Sequence, residues 1–158
     1  MLSKKFGITV QTKRLKKSSN KQVSFYLKYS SSVLRALKKP LFQKFLRWML
    51  RKENIDEDTV ADVQIRVFPF RKKNDRGLAG KCNVKNGEIH IYPKRLESCR
   101  KLMHEGGKDK FLSCVKRRAR TALIHELLHL KYANDEEKVR NLARKYSSIF
   151  ARAQKNRT

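Results

Sequence analysis

The chain has 158 residues, enough for one domain of ordinary size or for one domain with a tail. It carries 40 Lys and Arg against 14 Asp and Glu, a formal net charge of +26, and a polyanionic partner is the simplest explanation of that excess. Apolar residues make up 39% of the chain but form no run near the roughly 18 residues of a membrane span, so the composition excludes both a disordered polycation and a membrane protein.

The N-terminal third is uniformly basic. Residues 1–52 contain 15 Lys and Arg and no Asp or Glu. We interpret them as a basic, RNA-contacting extension, and residues 53–158 as a separate metal-binding domain. Apolar residues alternate with other residues at 6–10 and again at 23–29, which predicts two strands joined by a long basic loop.

Two helices are expected next. A short one runs from Ser30 to Leu37 and is stopped by Pro40. Apolar residues at helical spacing predict the second over 42–50. The acidic stretch 53–62 follows and is expected to form a surface loop.

The middle of the chain has strand and turn signals. Residues 65–70 predict a strand that ends at Pro69 or runs along a sheet edge. Asn86-Gly87 is a strong hairpin signal between two short apolar runs. In the second run, Ile89 and Ile91 are expected on one face, with His90 and Tyr92 on the other.

The C-terminal part is predicted to be helical. A pattern unbroken by Gly or Pro extends from Leu112 to Tyr132. A last helix is expected from Asp135 to about Gln154, capped by Asn134 or Asp135.

The first of these helices contains an HExxH motif, His125-Glu126-Leu127-Leu128-His129. Residues four apart lie on one helical face, so the two imidazoles can reach one zinc ion. Glu126, beside the first histidine, is placed to hold and deprotonate an attacking water. The motif therefore predicts a Zn²⁺ site with Glu126 as general base.

A third ligand is expected at the start of the next helix, where Glu136 and Glu137 are adjacent. Glu136 shares a helical face with Val139 and Ala143, the side that packs against the histidine helix, whereas Glu137 falls on a solvated face. This placement favours Glu136, and Glu137 stays as the alternative.

The run ALIHELLHL, followed by Glu136 to Ala143, resembles the small gluzincin-type zinc metallopeptidases called minigluzincins. The resemblance spans about residues 60–150. It implies an α+β, zincin-like fold, in which a twisted, mostly antiparallel sheet packs on the HExxH helix and the following Glu-bearing helix. It also implies His125, His129 and Glu136 as zinc ligands. The segment GLAG…NGEIHIYP resembles the family's edge strand, so a peptide substrate is expected along Ile89–Tyr92.

The sequence leaves open which residue stabilises an oxyanion and whether zinc is catalytic. The candidates for stabilising an oxyanion are Tyr132, Tyr146 and His104. Zinc could also be structural, holding a small domain together while the enzyme is catalytically silent. The three cysteines show no CxxC pair and are expected to be reduced thiols.

The remaining cations are spread along the whole chain, which suits contact with many phosphates of a folded RNA. Their composition resembles that of ribosomal proteins. The predicted nucleic-acid contacts are Lys13, Arg14, Lys16, Lys17, Lys38, Lys39, Arg71, Lys72, Lys73, Arg117 and Arg118.

The sequence thus favours a cytoplasmic, ribosome-associated protein that binds ribosomal RNA and neighbouring ribosomal proteins and contains a metallopeptidase-like domain. The alternative is an active zinc metallopeptidase that uses nucleic acid only for localisation. A third reading is a protease associated with DNA.

Overall fold

The computed structural model describes residues 7–11, 20–60, 62–66, 79–92 and 96–157. These residues form an α+β fold of four α-helices and one four-stranded sheet. The elements in chain order are β1 (Ile8–Gln11), α1 (Asn20–Lys38), α2 (Pro40–Lys52), a 3-10 turn (Glu57–Thr59), β2 (Asp62–Arg66), β3 (Gly80–Asn83), β4 (Glu88–Ile91), α3 (Leu96–His129) and α4 (Glu136–Lys155).

The sheet has the order β1-β2-β4-β3. The pairs β1–β2 and β2–β4 are parallel, and only β3–β4 is antiparallel, so the expectation of a mostly antiparallel sheet was wrong. A parallel pair needs a long crossover, and α1 and α2 provide one between β1 and β2.

One face of the sheet is apolar and meets the helices. Ile8, Val63 and Ile89 lie in register on three neighbouring strands, and all are buried. Helices α1 and α3 pack against this part of the molecule, and α4 packs on α3. Elements from both predicted regions, 1–52 and 53–158, therefore contribute to one sheet and one hydrophobic core.

The predicted strand at 23–29 is instead part of helix α1, so that prediction was wrong. The alternation was misleading because Leu27 is exposed, while Tyr26, Tyr29 and Val33 are buried. The buried side chains recur at three- and four-residue intervals, which is the helical period. The other predicted strand of the extension, at 6–10, is confirmed for residues 8–11.

Helix α2 confirms the helix predicted over 42–50. It begins at Pro40, which is well tolerated in the first helical turn because the amide there has no intrahelical partner. Phe42, Leu46 and Met49 are fully buried on its inner side. Asn54, just beyond its end, has a φ of 56°, the left-handed conformation in which helices often terminate.

The hairpin predicted at Asn86-Gly87 is confirmed by the antiparallel pair of β3 and β4. Gly87 has a φ of 71°, which a residue with a Cβ rarely adopts. The strand predicted over 65–70 corresponds to β2, which is interior to the sheet. Residues 67–70 lie outside the described residues.

Both C-terminal helices are confirmed. Helix α3 extends further upstream than Leu112 and is broken at Gly107, whose φ of 79° and ψ of 176° are not helical. Helix α4 is capped as expected, since the Asp135 side chain accepts a hydrogen bond from the Lys138 amide at 3.1 Å.

The end of α2 is tied to the loop between α3 and α4 through Glu53. Its carboxylate accepts hydrogen bonds from the hydroxyls of Tyr132, at 2.8 Å, and Tyr146. Its main-chain oxygen accepts one from the Lys131 ammonium. Glu53 was predicted to lie in an acidic surface loop; instead it restrains the six residues that separate His129 from Glu136.

These contacts make acid stability depend on Glu53. Burial raises the pKa of Glu53, but the hydrogen bonds from Tyr146 and Tyr132 outweigh it, and the pKa lies below its ordinary value of 4.5. The carboxylate therefore stabilises the fold above that pH, and this contribution is lost as the pH falls through the lowered pKa.

We expect Glu53→Gln to cost about 1–3 kcal/mol of unfolding free energy at pH 7, since hydrogen bonds to a charged group contribute that much. The cost should shrink as the pH falls below 4.5, where the wild type also loses the charge. Urea unfolding at pH 7 and pH 3.5 measures both. Glu57→Gln, on the neighbouring 3-10 turn, is the control and should unfold like the wild type; an equal loss in both variants would contradict the assignment.

Candidate metal centre

The HExxH motif lies in the last two turns of α3, as the sequence predicted. His125 and His129 are four residues apart, and their Nε2 atoms lie 3.1 Å from each other. Their side chains are only 22% and 16% exposed. The helix therefore presents both imidazole nitrogens to one point.

Glu136, the first residue of α4, supplies the third group. Its Oε1 lies 3.1 Å from His125 Nε2, and its Oε2 lies 3.0 Å from His129 Nε2. Two ligands on a tetrahedral zinc ion, each about 2.0–2.1 Å from the metal, are about 3.3 Å apart. The three groups fit a metal ion in both spacing and donor type, and Glu137 does not belong to this cluster among the described residues.

Glu126 follows His125 in the helix, lines the same cavity as His125 and Glu136, and is only 7% exposed. Burial raises the pKa of its carboxyl to about 7, and the negative charge of Glu136 adds to the shift. A carboxyl with a pKa near neutrality can both take up and release a proton at physiological pH. The structure thus places a buried acid–base group beside the three potential ligands.

Strand β3 passes directly over Glu126. A Cβ added to Gly80 would lie 2.8 Å from Glu126 Cγ and 3.1 Å from the His90 carbonyl oxygen. Such distances require something to move, so glycine is the residue that fits here. Gly80 belongs to the GLAG segment that resembles an edge strand, but the contact with Glu126 arises only from the packing of β3 on α3.

The substrate strand predicted along Ile89–Tyr92 is corrected by the sheet order. Strand β4 is paired with β2 on one side and with β3 on the other, so its backbone groups are already used. Within the described sheet, β3 is the edge strand next to Glu126. The edge of the described sheet therefore lies in the hairpin that the sequence predicted, on β3 rather than on β4.

A cavity of about 720 Å³ adjoins the cluster and extends along α3 toward its N-terminus. His125, Glu126 and Glu136 form one end of it, and Ala79 and Gly80 of the edge strand form part of its wall. Arg118 also lines it, although the sequence placed this residue among the RNA contacts. Arg118 precedes His125 by seven residues, about two helical turns, so the sequence alone could have indicated that both lie on the same face of α3.

None of the three candidate oxyanion stabilisers has a side chain that is both near the cluster and available to a substrate. The hydroxyls of Tyr132 and Tyr146 both donate to Glu53. Burial, followed by the contact with Glu53, raises the pKa of Tyr146. His104 is exposed in the first half of α3. Neither hydroxyl is therefore free to donate to a substrate without giving up Glu53.

The three cysteines are free thiols, as expected. Cys82 lies on β3, two residues after Gly80, and burial together with the charge of Glu126 raises its pKa to about 11. The thiol is therefore protonated at neutral pH and is a poor ligand or nucleophile.

The predicted RNA contacts are only partly within the described residues; Lys13, Arg14, Lys16, Lys17, Arg71, Lys72 and Lys73 lie outside them. Lys38 and Lys39 are exposed at the end of α1. Lys39 lines a cavity of about 540 Å³ between α1, α3 and the end of α4, together with Arg35, Lys116 and Arg120. Arg117 is exposed on α3.

No family model, curated protein or solved structure matches this chain with significance. None of the described helices is both long and apolar enough to cross a membrane. The function of the site must therefore be inferred from the geometry of its own residues.

We expect Glu136→Gln to weaken zinc binding by more than about tenfold, since even partners behind metal ligands change affinity by about 10- to 100-fold. Glu137→Gln removes the same charge one residue away and should leave the affinity unchanged. Competition with a chelator of known affinity measures both. Equal losses in the two variants would show that general charge, rather than ligation, holds the ion.

Proposed function

We propose that this protein is a zinc-dependent peptidase that hydrolyses peptide bonds at the cluster of His125, His129 and Glu136. One observation carries the proposal. The Nε2 atoms of His125 and His129 lie 3.1 Å apart, each lies 3.0–3.1 Å from one carboxylate oxygen of Glu136, and the buried Glu126 lines the same cavity. Two histidines with one glutamate are a ligand set of catalytic zinc sites, which leave a coordination position open for reaction.

His125, His129 and Glu136 would hold the ion, which when bound supplies a Lewis acid that polarises the scissile carbonyl and makes water more acidic. Glu126 takes the proton from the attacking water and passes it to the nitrogen of the leaving amine. Its raised pKa suits both steps, because the group must accept and then return the same proton near neutral pH.

The edge strand β3 supplies a place for an extended substrate. An edge strand offers unpaired backbone N–H and C=O groups, to which a peptide can add as a further strand. Gly80 brings this edge close to Glu126, so a peptide paired with β3 would run past the carboxyl. This orientation accounts for the absence of a side chain at position 80.

Glu126→Gln tests the proposal directly. The variant keeps the shape of the side chain but cannot take up the proton, so we expect peptide cleavage to fall by about 10²–10⁴-fold with zinc still bound. Cleavage of an unfolded protein substrate by the zinc-loaded protein measures the rate, and metal analysis of the same sample is the control. Zinc retention with no cleavage by the wild type would contradict the proposal.

A second function is RNA binding, with the metal site serving as a structural element. The cavity that contains Arg35, Lys39, Lys116 and Arg120 favours it, because these four cations converge on one region away from the metal cluster. Of the described residues that line this cavity, Asp109 is the one that is acidic. Such a surface fits a phosphate backbone, and ribosome association would follow from it.

We expect the affinity for ribosomal RNA to fall by about 10³–10⁵-fold between roughly 50 and 200 mM salt, as for a protein that neutralises 6–10 phosphates. Fluorescence anisotropy with an rRNA fragment measures it, and Glu126→Gln should bind like the wild type. A flat salt response would rule out phosphate contacts. A clear preference for duplex DNA over RNA would instead favour the DNA-associated protease.

A further inference from the structure

The cavity beside His125 and Glu136 is lined by both apolar and cationic side chains. Leu102, Val115 and Ala122 contribute the apolar lining. Arg117, Arg118 and Arg140 also line it. The acidic lining residues are Glu126 and Glu136, both of which belong to the candidate site itself. Among the described residues, the charged side chains that line the cavity beyond the reacting groups are therefore all positive.

Among the described residues, the one carboxylate within ion-pair distance of these arginines is Glu136, beside Arg140. Arg140 lies 3.8 Å from Glu136, at the outer limit of an ion pair, and Glu136 is a potential metal ligand. Among the described residues, no carboxylate lies within ion-pair distance of Arg117 or Arg118. Clustered cations without anionic partners are a binding site for an external anion.

Arg118 is held in position before any ligand arrives. One terminal nitrogen of its guanidinium donates a 2.7 Å hydrogen bond to the carbonyl oxygen of Tyr92, at the end of β4. The guanidinium has five N–H donors, so the others remain for a ligand. Its planar fork matches a carboxylate, with which arginine forms two parallel hydrogen bonds.

We propose that this cavity is a carboxylate-binding subsite, in which Arg118, assisted by Arg117, binds a carboxylate of the peptide being cleaved. The inference rests on the proposed peptidase function and adds a substrate class to it. The carboxylate can come from an acidic side chain or from the free C-terminus of the peptide. Both present the same group to Arg118, and they differ in whether the enzyme cleaves within chains or near their ends.

The net charge of +26 would attract acidic peptides to any part of the surface. A site-specific effect must therefore be separated from this general attraction. Arg144 provides the matched control, because it is an exposed arginine on α4 that does not line the cavity. Arg118→Gln and Arg144→Gln change the net charge equally, so only the first should alter selectivity.

The test uses four peptides of one sequence, with Glu or Gln at one internal position and with a free or amidated C-terminus. We expect the zinc-loaded full chain to cleave at least one carboxylate-bearing peptide with a kcat/KM about 10- to 100-fold above the Gln, amidated peptide. Arg118→Gln should remove most of this preference and Arg117→Gln part of it, while Arg144→Gln retains it. Because Arg117 is exposed, we expect Arg117→Gln to fold normally, so this variant still tests the subsite if Arg118→Gln misfolds.

The same peptides are then titrated onto zinc-loaded Glu126→Gln protein, with binding read by fluorescence anisotropy. This arm tests the subsite even where no peptide is cleaved, so failure of the peptidase function and failure of the subsite are distinguishable. Preference for internal Glu identifies an acidic side chain as the ligand, and dependence on the free terminus identifies the C-terminal carboxylate. Equal binding of all four peptides, or an equal loss in the Arg118 and Arg144 variants, overturns the proposal.

Discussion

The grouping of His125, His129 and Glu136 depends on the position of the short loop between α3 and α4, and Glu53 restrains that loop. The helix places His125 and His129 on one face by its own geometry, but Glu136 belongs to another helix. Glu53 accepts hydrogen bonds from Tyr132 within the loop and from Tyr146 on α4. An acid at the end of α2 thereby restrains the distance between the two histidines and their third partner.

The second constraint is the close contact between the sheet edge and α3. Gly80 allows β3 to lie on Glu126, and this contact shields the carboxyl from water. Shielding raises its pKa to about 7, which suits an acid–base group. Within the described sheet, the free edge of β3 also lies beside Glu126, so one packing arrangement accounts for both the raised pKa and the proposed binding of an extended peptide.

The positive charge of the chain is distributed over surfaces with different proposed roles. Arg118 lines the cavity beside His125 and Glu136, where we propose that it binds a carboxylate of a peptide. Lys39 and Arg120 line a separate cavity, which suits phosphates. The two proposed functions are therefore compatible in one polycationic protein, because the cavities to which we assign them are lined by different arginines and lysines.

The sequence by itself determined features that depend on a few neighbouring residues: the HExxH face of α3, the capped start of α4 and the turn at Asn86-Gly87. Local geometry specifies these, since helical period and turn conformation depend on neighbouring residues alone. The sequence favoured Glu136 over Glu137 but left both as candidates. Only the tertiary structure decided that 23–29 is helical, that the sheet is mixed, that β3 is the edge, and that Glu53 and Arg118 contact distant partners. These depend on which segments bury their apolar faces together, and the physical reason is that strand pairing and buried hydrogen bonds join residues far apart in the chain.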